Sequence, residues 1–371
     1  MTSSEARGAA RGPVAITGIG AVTAVGASAA QTATSIRAGI RRVVEKPLSG
    51  TGGDPGEEGG VYLASSAEGL AAALGSARPC DLALAAAREA LWDAGLYEPR
   101  DVDAAYRRVA VEVFLALPAD DAPWADRGAP VTFRDGAIAA RLFDPRGTKV
   151  VPYPGGHASG LIALEAAVAR LLAGEADVAL VGGLDDLLSG AAVTELNRRS
   201  KLRTDRAPGG LIPGEGSAFV VLERLDGAAR RGATAVATIA GTGRGQEAVP
   251  LDGTEPSRGE GASRALGAVL AAAGPDARIT DVYTDLNGER NRDLEWALVE
   301  TRVLSPLPAG WRRHVPASVV GDLGAAMAPL LLVLAAGGVR GGRGAALVCA
   351  ASDAGERAAV ALASARPVAK G

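Results

Sequence analysis

The chain is poor in the residues that build metal sites, disulfide frameworks and aromatic binding surfaces. Its 371 residues include 2 cysteines, Cys80 and Cys349, and 2 histidines. Neither cysteine has a second cysteine or a histidine at metal-ligand spacing. Aromatic residues make up 4% of the chain, so few are available to stack on bases or sugars. The sequence therefore predicts no metal, no disulfide framework and no bound cofactor.

The chain also lacks an excess of charge and a long apolar run. Its 39 basic and 42 acidic residues give a net charge of -3 and are spread along the sequence, which disfavours nucleic acid as a partner. The longest apolar run, residues 327–336, is too short to span a bilayer. Residues 1–12 lack the apolar core of a signal peptide. We expect a soluble cytoplasmic protein that does not enter the membrane.

What the chain has is length, 48% hydrophobic residues and 50 glycines, which suit a large core of closely packed layers. Apolar segments of strand length alternate with helical patterns, which indicates an α/β fold with a largely parallel sheet. The pattern predicts a strand at residues 13–17 that turns at Gly18 and Gly20, an exposed loop at 45–60 and a strand at 315–320. The same alternation of strands and helices occurs in both halves of the chain.

The most informative segment is residues 153–183, YPGGHASGLIALEAAVARLLAGEADVALVGG. A strand enters a glycine-rich turn, one residue stands at the tip, and a helix begins directly behind it. Such a turn exposes a reactive side chain and directs the helix N-terminus at it, where the partial positive charge stabilises an anion. The residue at the tip is His157.

This segment resembles the nucleophile turn of β-ketoacyl synthases, in which a cysteine precedes a small residue, serine and glycine. The matching residues are Ala158, Ser159 and Gly160, and they are followed by the Gly-Glu-Ala-Asp turn at 174–177 and Gly-Gly at 182–183. Residues 14–26 and 212–233 are similar to two further segments of the family. The resemblance implies a five-layered αβαβα thiolase-like fold with two α/β halves, residues 1–226 and 227–371.

The three catalytic positions of the family carry different residues in this chain. His157 replaces the cysteine, and Asn287 aligns with the first histidine. The second histidine aligns with Gly321 or, after a one-residue deletion, with Asp322. Condensation needs a thiolate and two imidazoles, so the sequence predicts no ordinary Claisen condensation. Neither Cys80 nor Cys349 lies in the nucleophile turn.

Two interpretations of these positions remain open. In one, a neutral His157 acts as a base or nucleophile, Asn287 donates to the oxyanion, Asp322 orients the imidazole, and Gly156 and Ser159 contact the substrate. In the other, His157 fills the space of the cysteine, Asn287 belongs to a turn and Asp322 caps a helix. A helix N-terminus disfavours an imidazolium, so the ring is expected to be neutral.

A dense group of charges surrounds Asn287. Within it, Asp285 and Arg290 are predicted to contact substrate, and Arg290 or Arg292 can meet a carboxylate or a phosphate. The alternative is a solvated helix start with local ion pairs. The basic segment at residues 198–206 is a candidate docking site for an acidic carrier protein.

Two functions are consistent with these residues. The first is a β-ketoacyl synthase-like protein of fatty acid or polyketide-type metabolism that binds acyl-carrier thioesters without condensing them, similar to a chain-length factor or another partner subunit. The second is an acyltransferase that moves an acyl group from a thioester to an alcohol or amine. The resemblance implies an acyl carrier protein or acyl-CoA thioester as partner. It also implies a homodimer, or a heterodimer with a ketosynthase, joined across a sheet edge.

Overall fold

The computed structural model describes residues 12–48, 60–70, 78–98, 110–142, 144, 148–253, 255–340, 342 and 344–365. The strands in these residues are β1 (Val14–Thr23), β2 (Val44–Pro47), β3 (Val61–Ala64), β4 (Val111–Leu117), β5 (Lys149–Pro154), β6 (Val178–Gly183), β7 (Gly216–Arg224), β8 (Ala237–Gln246), β9 (Ile279–Thr284), β10 (Arg312–His314), β11 (Ala345–Ala351) and β12 (Glu356–Ser364). The α-helices are α1 (Ala29–Arg37), α2 (Pro79–Asp93), α3 (Ala129–Ala139), α4 (Ser159–Ala173), α5 (Gly190–Arg198), α6 (Leu225–Arg230), α7 (Glu260–Ala273), α8 (Arg290–Val299), α9 (Ala317–Val320) and α10 (Met327–Val339).

The strand order reveals an internal duplication that has no counterpart in residue-level sequence similarity. Strands β5-β4-β6-β7-β1 form one half of the sheet, and β10-β9-β11-β12-β8 form the other. When the five strands of each half are numbered by their order in the chain, both halves are arranged across the sheet as third, second, fourth, fifth and first. In both, the first three strands of that order are parallel and the remaining pairings are antiparallel. The short β1–β8 pairing joins the two halves.

Helices cover and separate these two halves, so the predicted five-layered αβαβα arrangement is confirmed. Helices α2 and α3 lie outside the first half, and α7 and α8 lie outside the second. Helices α4 and α10 form the middle layer and contact strands of both halves. Helix α10 is apolar and almost entirely buried, as expected of a helix with strands on two sides. The predicted division at residue 226 falls within α6, which connects β7 to β8.

The middle layer positions the candidate site. Helices α4 and α10 each follow the third strand of their half, so they are equivalent elements of the duplication. Each is preceded by a short 3-10 turn, Gly156–Ala158 before α4 and Gly324–Ala326 before α10, and these two turns are in contact. Residues near the two helix N-termini are therefore brought together although they are far apart in the chain.

The turn predicted at Gly18 and Gly20 is wrong, because β1 continues through both glycines to Thr23. The glycines are needed for close packing against α2. A Cβ atom on Gly18 would lie 2.1 Å from the carbonyl oxygen of Ala90, and one on Gly20 would lie 2.1 Å from that of Ala86. The small residues of strand and helix thus allow the backbones to approach closely.

Two other local predictions also differ from the structure. The strand predicted at 315–320 is replaced by β10, which ends at His314, and by the short helix α9. The apolar side chains of α9 are buried in the protein core. Periodicity cannot distinguish a buried strand from a buried helix in so short a segment. The loop predicted at 45–60 begins instead with β2, which pairs with β3, while residues 49–59 lie outside the described residues.

One described helical stretch, Gly156–Ala173, is long and apolar enough to cross a membrane by length and composition. In this fold 44% of it is buried, and Leu161, Leu164 and Leu171 belong to the main core cluster. Its apolar composition is that of a helix in the middle layer.

Candidate functional site

The predicted nucleophile turn is present between β5 and α4. After Pro154 the chain passes through Gly155 and Gly156, makes a single 3-10 turn and enters the helix. Gly156 has φ of 73°, in the left-handed region, and no atom lies within 4 Å of the position of a Cβ. Backbone conformation, not lack of space, therefore favours glycine before His157.

The two halves of the chain hold this turn in place together. The Ser352 hydroxyl donates to the carbonyl oxygen of Gly155 and accepts from the backbone N–H of Ala158 at 3.1 Å. The hydroxyl of Ser159 donates to the carbonyl oxygen of Gly156 at 2.5 Å. Ser159 and Gly156, which were predicted to contact substrate, are thus bonded to each other within the turn. Ser352 was not predicted from the sequence.

The His157 side chain is engaged at both ring nitrogens. Its Nε2 lies 2.8 Å from Oδ1 and 3.0 Å from Oδ2 of Asp322, and its Nδ1 lies 3.4 Å from Nη2 of Arg292. Only 13% of the side chain is exposed. An imidazole that acts as a base or nucleophile needs one nitrogen free for the substrate. Here each nitrogen already faces a charged side chain.

Asp322 is the centre of the group and is 1% exposed. Besides its contact with His157, its carboxylate accepts from the amide of Asn287 at 2.6 Å and from the backbone N–H of Gly324 at 2.8 Å. Asp322 is thus bonded to the start of the 3-10 turn before α10. The structure brings the predicted residues His157, Asn287 and Asp322 together. Of the two alignments considered for the second histidine position, Asp322 is the one with a side chain in the site.

The pKa values of the pair shift in opposite directions. Burial lowers the pKa of His157, but the carboxylate of Asp322 raises it by more, and the result lies above the ordinary value of 6.5. Burial raises the pKa of Asp322, but His157 and Arg292 lower it by more, to well below its ordinary value. A neutral ring was expected from the helix N-terminus alone, and the adjacent carboxylate outweighs that effect.

Hydrogen-bond geometry nevertheless selects one tautomer of the neutral ring. A guanidinium has only donors, so its contact with Nδ1 is a hydrogen bond only when Nδ1 is unprotonated and Nε2 carries the proton. Nε2–H then donates to Asp322. A second proton, favoured by the raised pKa, would be placed at Nδ1 against Arg292. In the neutral tautomer the ring is held between Asp322 and Arg292, whereas in the protonated ring only the bond to Asp322 remains.

The arginine in contact with His157 is Arg292, whereas Arg290, which was predicted to contact substrate, lies outside the group. Arg290 is exposed at the first position of α8, whereas Arg292 lies two residues further into the helix and is 3% exposed. Arg292 forms ion pairs with Asp285 at 3.0 Å, Glu289 at 3.0 Å and Asp353 at 2.8 Å, and it also donates to the carbonyl oxygen of Ala351. Asp285, predicted to bind substrate, is therefore a buried partner of Arg292.

Lys201 extends the ionic group on the side of Asp353. Its Nζ lies 2.6 Å from Asp353 and 3.1 Å from Glu289, and Lys201 is 8% exposed. The participation of Lys201 and Asp353 was not predicted, because they are 152 positions apart and no local pattern links them. We call the group of His157, Asp322, Asn287, Arg292, Asp285, Glu289, Asp353 and Lys201 the ionic cluster.

Part of the basic segment predicted to dock a carrier protein is neutralised within the fold. Arg198 and Arg199 both pair with Glu195, and Arg199 also pairs with Asp252. Lys201 is buried in the ionic cluster, while Arg203 and Arg206 are exposed and lie outside these ion pairs.

The arrangement offers no thiolate at the turn. Cys349 is buried, and burial raises the pKa of its thiol; Cys80 is half-buried, and its thiol pKa is also raised by burial. Within the described residues, no three His, Cys, Asp or Glu side chains are grouped to hold a metal ion. What remains at the tip of the turn is an imidazole bound at both nitrogens to buried charges.

A second buried acid, Asp185, lies at the end of β6 beside the turn before α10. It accepts from the indole N–H of Trp124 at 2.9 Å and from the backbone N–H of Ala325 at 2.9 Å. Burial raises its pKa to about 6, against the effect of these bonds. Because Asp185 and Asp322 bond successive backbone N–H groups, two carboxylates cap the same turn.

Comparison with known proteins identifies similar sequences. Residues 11–228 match the model of the family described as "Beta-ketoacyl synthase, N-terminal domain". The phthioceranic/hydroxyphthioceranic acid synthase of Mycobacterium tuberculosis is 36% identical over 148 residues, which cover 38% of this chain and 7% of that protein. The spectinabilin polyketide synthase system protein NorA' of Streptomyces orinoci is 37% identical over 130 residues, 33% of this chain and 4% of that protein.

Two solved structures show the same fold at low identity. The ishigamide ketosynthase/chain length factor superposes with a TM-score of 0.74 at 20% identity, covering 96% of this chain and 100% of that one. A β-ketoacyl synthase from Burkholderia phymatum superposes with a TM-score of 0.75 at 20% identity, with the same coverage. At this identity the likeness concerns the fold.

Proposed function

Because the chain belongs to the β-ketoacyl synthase family, as the match over residues 11–228 shows, we propose that it is a non-condensing member. In this role it binds acyl-carrier thioesters of polyketide or fatty acid-type metabolism in the cytoplasm and leaves the carbon–carbon bond formation to another protein. Its relatives include polyketide synthases and a ketosynthase/chain length factor, which supports the pathway class.

The observation that carries the proposal is the engagement of His157. Condensation requires a thiolate to accept the acyl group and two imidazoles to hold the thioester oxygen. At the tip of the turn there is instead a ring held by Asp322 at 2.8 Å and Arg292 at 3.4 Å. The aligned histidine positions hold Asn287 and Asp322, whose side chains are bonded to each other. Each group that the reaction needs has become part of a buried ionic cluster.

The same observation weighs against the acyltransferase alternative. For His157 to deprotonate an alcohol or amine, Nδ1 must leave Arg292 or Nε2 must leave Asp322. Asn287, the expected oxyanion donor, directs its amide at Asp322 and Glu289. An oxyanion donor must point at the position that the oxyanion will occupy, so this amide would have to turn away from two carboxylates.

We expect no thiol release from acetyl, octanoyl or malonyl thioesters of a carrier protein, with or without simple alcohols and amines. The measurement compares the wild-type protein with His157→Ala, and an active ketosynthase assayed in parallel serves as the positive control. Rates equal to that of buffer for both forms support the non-condensing role. Turnover that disappears in His157→Ala would establish the acyltransferase, and turnover retained in that variant would place a nucleophile elsewhere.

The partner of this protein is proposed to bind elsewhere than at the free edge of β5. This edge strand carries Pro152 and Pro154, which lack an N–H group. Gly155 N donates to Leu117 O of β4 at 3.2 Å, so the N–H groups at odd positions of β5 face β4 and those at even positions face outward. Along the outer side of β5 only Val150 therefore has a donor, and proline on an edge hinders the addition of another strand.

We accordingly expect that the 37.1 kDa chain, sedimented alone at micromolar concentration, does not form the dimer paired along β5 that the family resemblance implies. The variant Pro152→Val/Pro154→Val restores two outward N–H groups and should shift the protein toward a dimer, which sedimentation velocity detects. A wild-type dimer that the double variant does not strengthen would contradict this role of the two prolines.

A further inference from the structure

A cavity lies apart from the ionic cluster, at the β10 edge of the fold. It has a volume of about 540 Å³, opens to solvent, and is lined by the end of α1, by β9, by the segment from β10 to α9, and by α10. This volume is within the range of small-molecule sites. Its residues do not include His157, Asp322 or Arg292, so it is separate from the site described above.

The floor of the cavity is apolar. It is lined by Ile36, Val319 and Leu334 and by two exposed glycines of α10, Gly337 and Gly338. Because these glycines have no side chains, the helix surface beneath the cavity stays open. A Cβ on Gly337 would find its nearest neighbour, Ile19, at 3.9 Å, whereas one on Gly338 would lie 2.8 Å from the hydroxyl of Tyr283. Gly338 therefore makes room for Tyr283, and Gly337 borders empty space.

The wall of the cavity carries more positive than negative charge. Arg312 pairs with Asp281 at 3.0 Å, and Arg313 pairs with Glu300 at 2.8 Å. Arg37 also lines the cavity. In the described part of the chain, its guanidinium donates a hydrogen bond to the hydroxyl of Thr34. Among the described residues no carboxylate lies within ion-pair distance of Arg37. Arg37 is exposed at the end of α1, and it is the arginine of the wall that no ion pair balances in the described part of the chain.

The side chains of His314 and Tyr283 stand in the same wall. The ring of His314 stacks on that of Tyr283 with centroids 4.3 Å apart, and Nε2 of His314 lies 2.7 Å from Asp281. The carboxylate fixes the orientation of the imidazole and leaves Nδ1 without a partner in the described part of the chain. Burial raises the pKa of Tyr283 to about 12, so its hydroxyl keeps its proton and can donate.

We propose that this cavity binds an amphipathic organic anion, with an aliphatic chain on the α10 floor and a carboxylate or phosphate head group at Arg37. The apolar floor and the unbalanced guanidinium select this class, since a purely polar anion would leave the floor uncovered and a neutral lipid would leave the arginine unpaired. The proposal does not depend on the non-condensing role.

The test is isothermal titration of the full chain with octanoate, octyl phosphate and octanol. Octanoate and octyl phosphate each combine an aliphatic chain with a negative head group, and comparing them identifies the preferred head group. Octanol has the same chain length but no charge. We expect at least one anion to bind at least tenfold more tightly than octanol, because charged hydrogen bonds are among the stronger ones. Arg37→Gln should weaken binding of that anion about tenfold or more.

Two further variants separate the cavity from the rest of the surface. Gly337→Leu extends a side chain into the cavity without a close contact in the fold, and it should abolish binding while leaving the unfolding transition intact. Arg88→Gln removes an exposed arginine on α2, far from the cavity in the fold, and should change nothing. The proposal is overturned if neither anion binds, if octanol binds as tightly as the anions, or if Arg37→Gln and Gly337→Leu both bind like the wild type.

Discussion

Replacing Asp322 by alanine is expected to lower the free energy of unfolding by about 3–5 kcal/mol, the cost of breaking a buried charge pair by removing one partner. The carboxylate is 1% exposed and accepts from Asn287, Gly324 and, in the neutral tautomer, His157. Alanine leaves these donors buried without an acceptor and leaves Arg292 facing the imidazole with less compensating charge. Urea denaturation followed by circular dichroism measures the change.

Two other variants serve as controls for this loss. Asp322→Asn keeps one acceptor oxygen but introduces donors opposite His157 and Asn287, so it should destabilise the fold by less than alanine does. Asp276→Asn removes an exposed carboxylate in the connection after α7 and should alter stability by less than about 0.5 kcal/mol. If Asp322→Ala is as stable as Asp276→Asn, the bonds of the Asp322 carboxylate do not stabilise the fold.

Replacing Arg292 by methionine is the second large effect that we expect, again about 3–5 kcal/mol at neutral pH. Arg292 is 3% exposed and contacts Asp285, Glu289 and Asp353. Glu289 and Asp353 keep Lys201 as a partner, but Asp285 keeps only the backbone N–H of Ala351. The double variant Arg292→Met/Asp285→Asn should therefore recover part of the lost stability.

The pH dependence of this variant has a definite sign. Burial already raises the pKa of Asp285, and removal of Arg292 takes away the main opposing charge, so the pKa rises further in the folded state. A carboxyl with a raised folded pKa binds a proton more tightly when folded, so stability increases as the pH falls through that pKa. The deficit relative to wild type should be smaller at pH 5 than at pH 8.

Arg290→Met provides a matched comparison on the same helix turn. Arg290 is exposed and two residues away, so its removal should change the free energy of unfolding by less than about 0.5 kcal/mol at either pH. An equal loss for the two arginines, or a deficit in Arg292→Met that grows toward low pH, would contradict the assignment of Arg292 as the buried counter-charge of Asp285.

The sequence predicted most of the candidate site because the site rests on two local motifs. One motif is the glycine turn before His157, and the other is the glycine-alanine turn after Asp322. Each pattern spans fewer than ten residues, and the resemblance to ketosynthases assigns both to one site. Both turns lie at the N-termini of equivalent middle-layer helices. The layered fold was predicted on the same basis, and the strand order confirms it.

Predictions failed where two kinds of structure share one local pattern. Gly18 and Gly20 suit a turn as well as a strand packed closely on α2, and the contacts with Ala90 and Ala86 select the strand. The apolar residues of α9 suit either a buried strand or a buried helical turn. Both Arg290 and Arg292 stand at the start of α8, and only the direction of the helix decides that Arg292 is the buried one.

By itself, the sequence determined that His157 stands at the tip of the glycine turn, and from the family resemblance it predicted that the thiolate and both imidazoles are replaced. It also determined the alternation of strands and helices, which follows from the spacing of apolar residues. Only the tertiary structure decided that the replacements bond to one another and that Lys201 and Asp353 complete their charges. Ion pairs between residues over a hundred positions apart depend on how layers pack, and no local pattern encodes that distance.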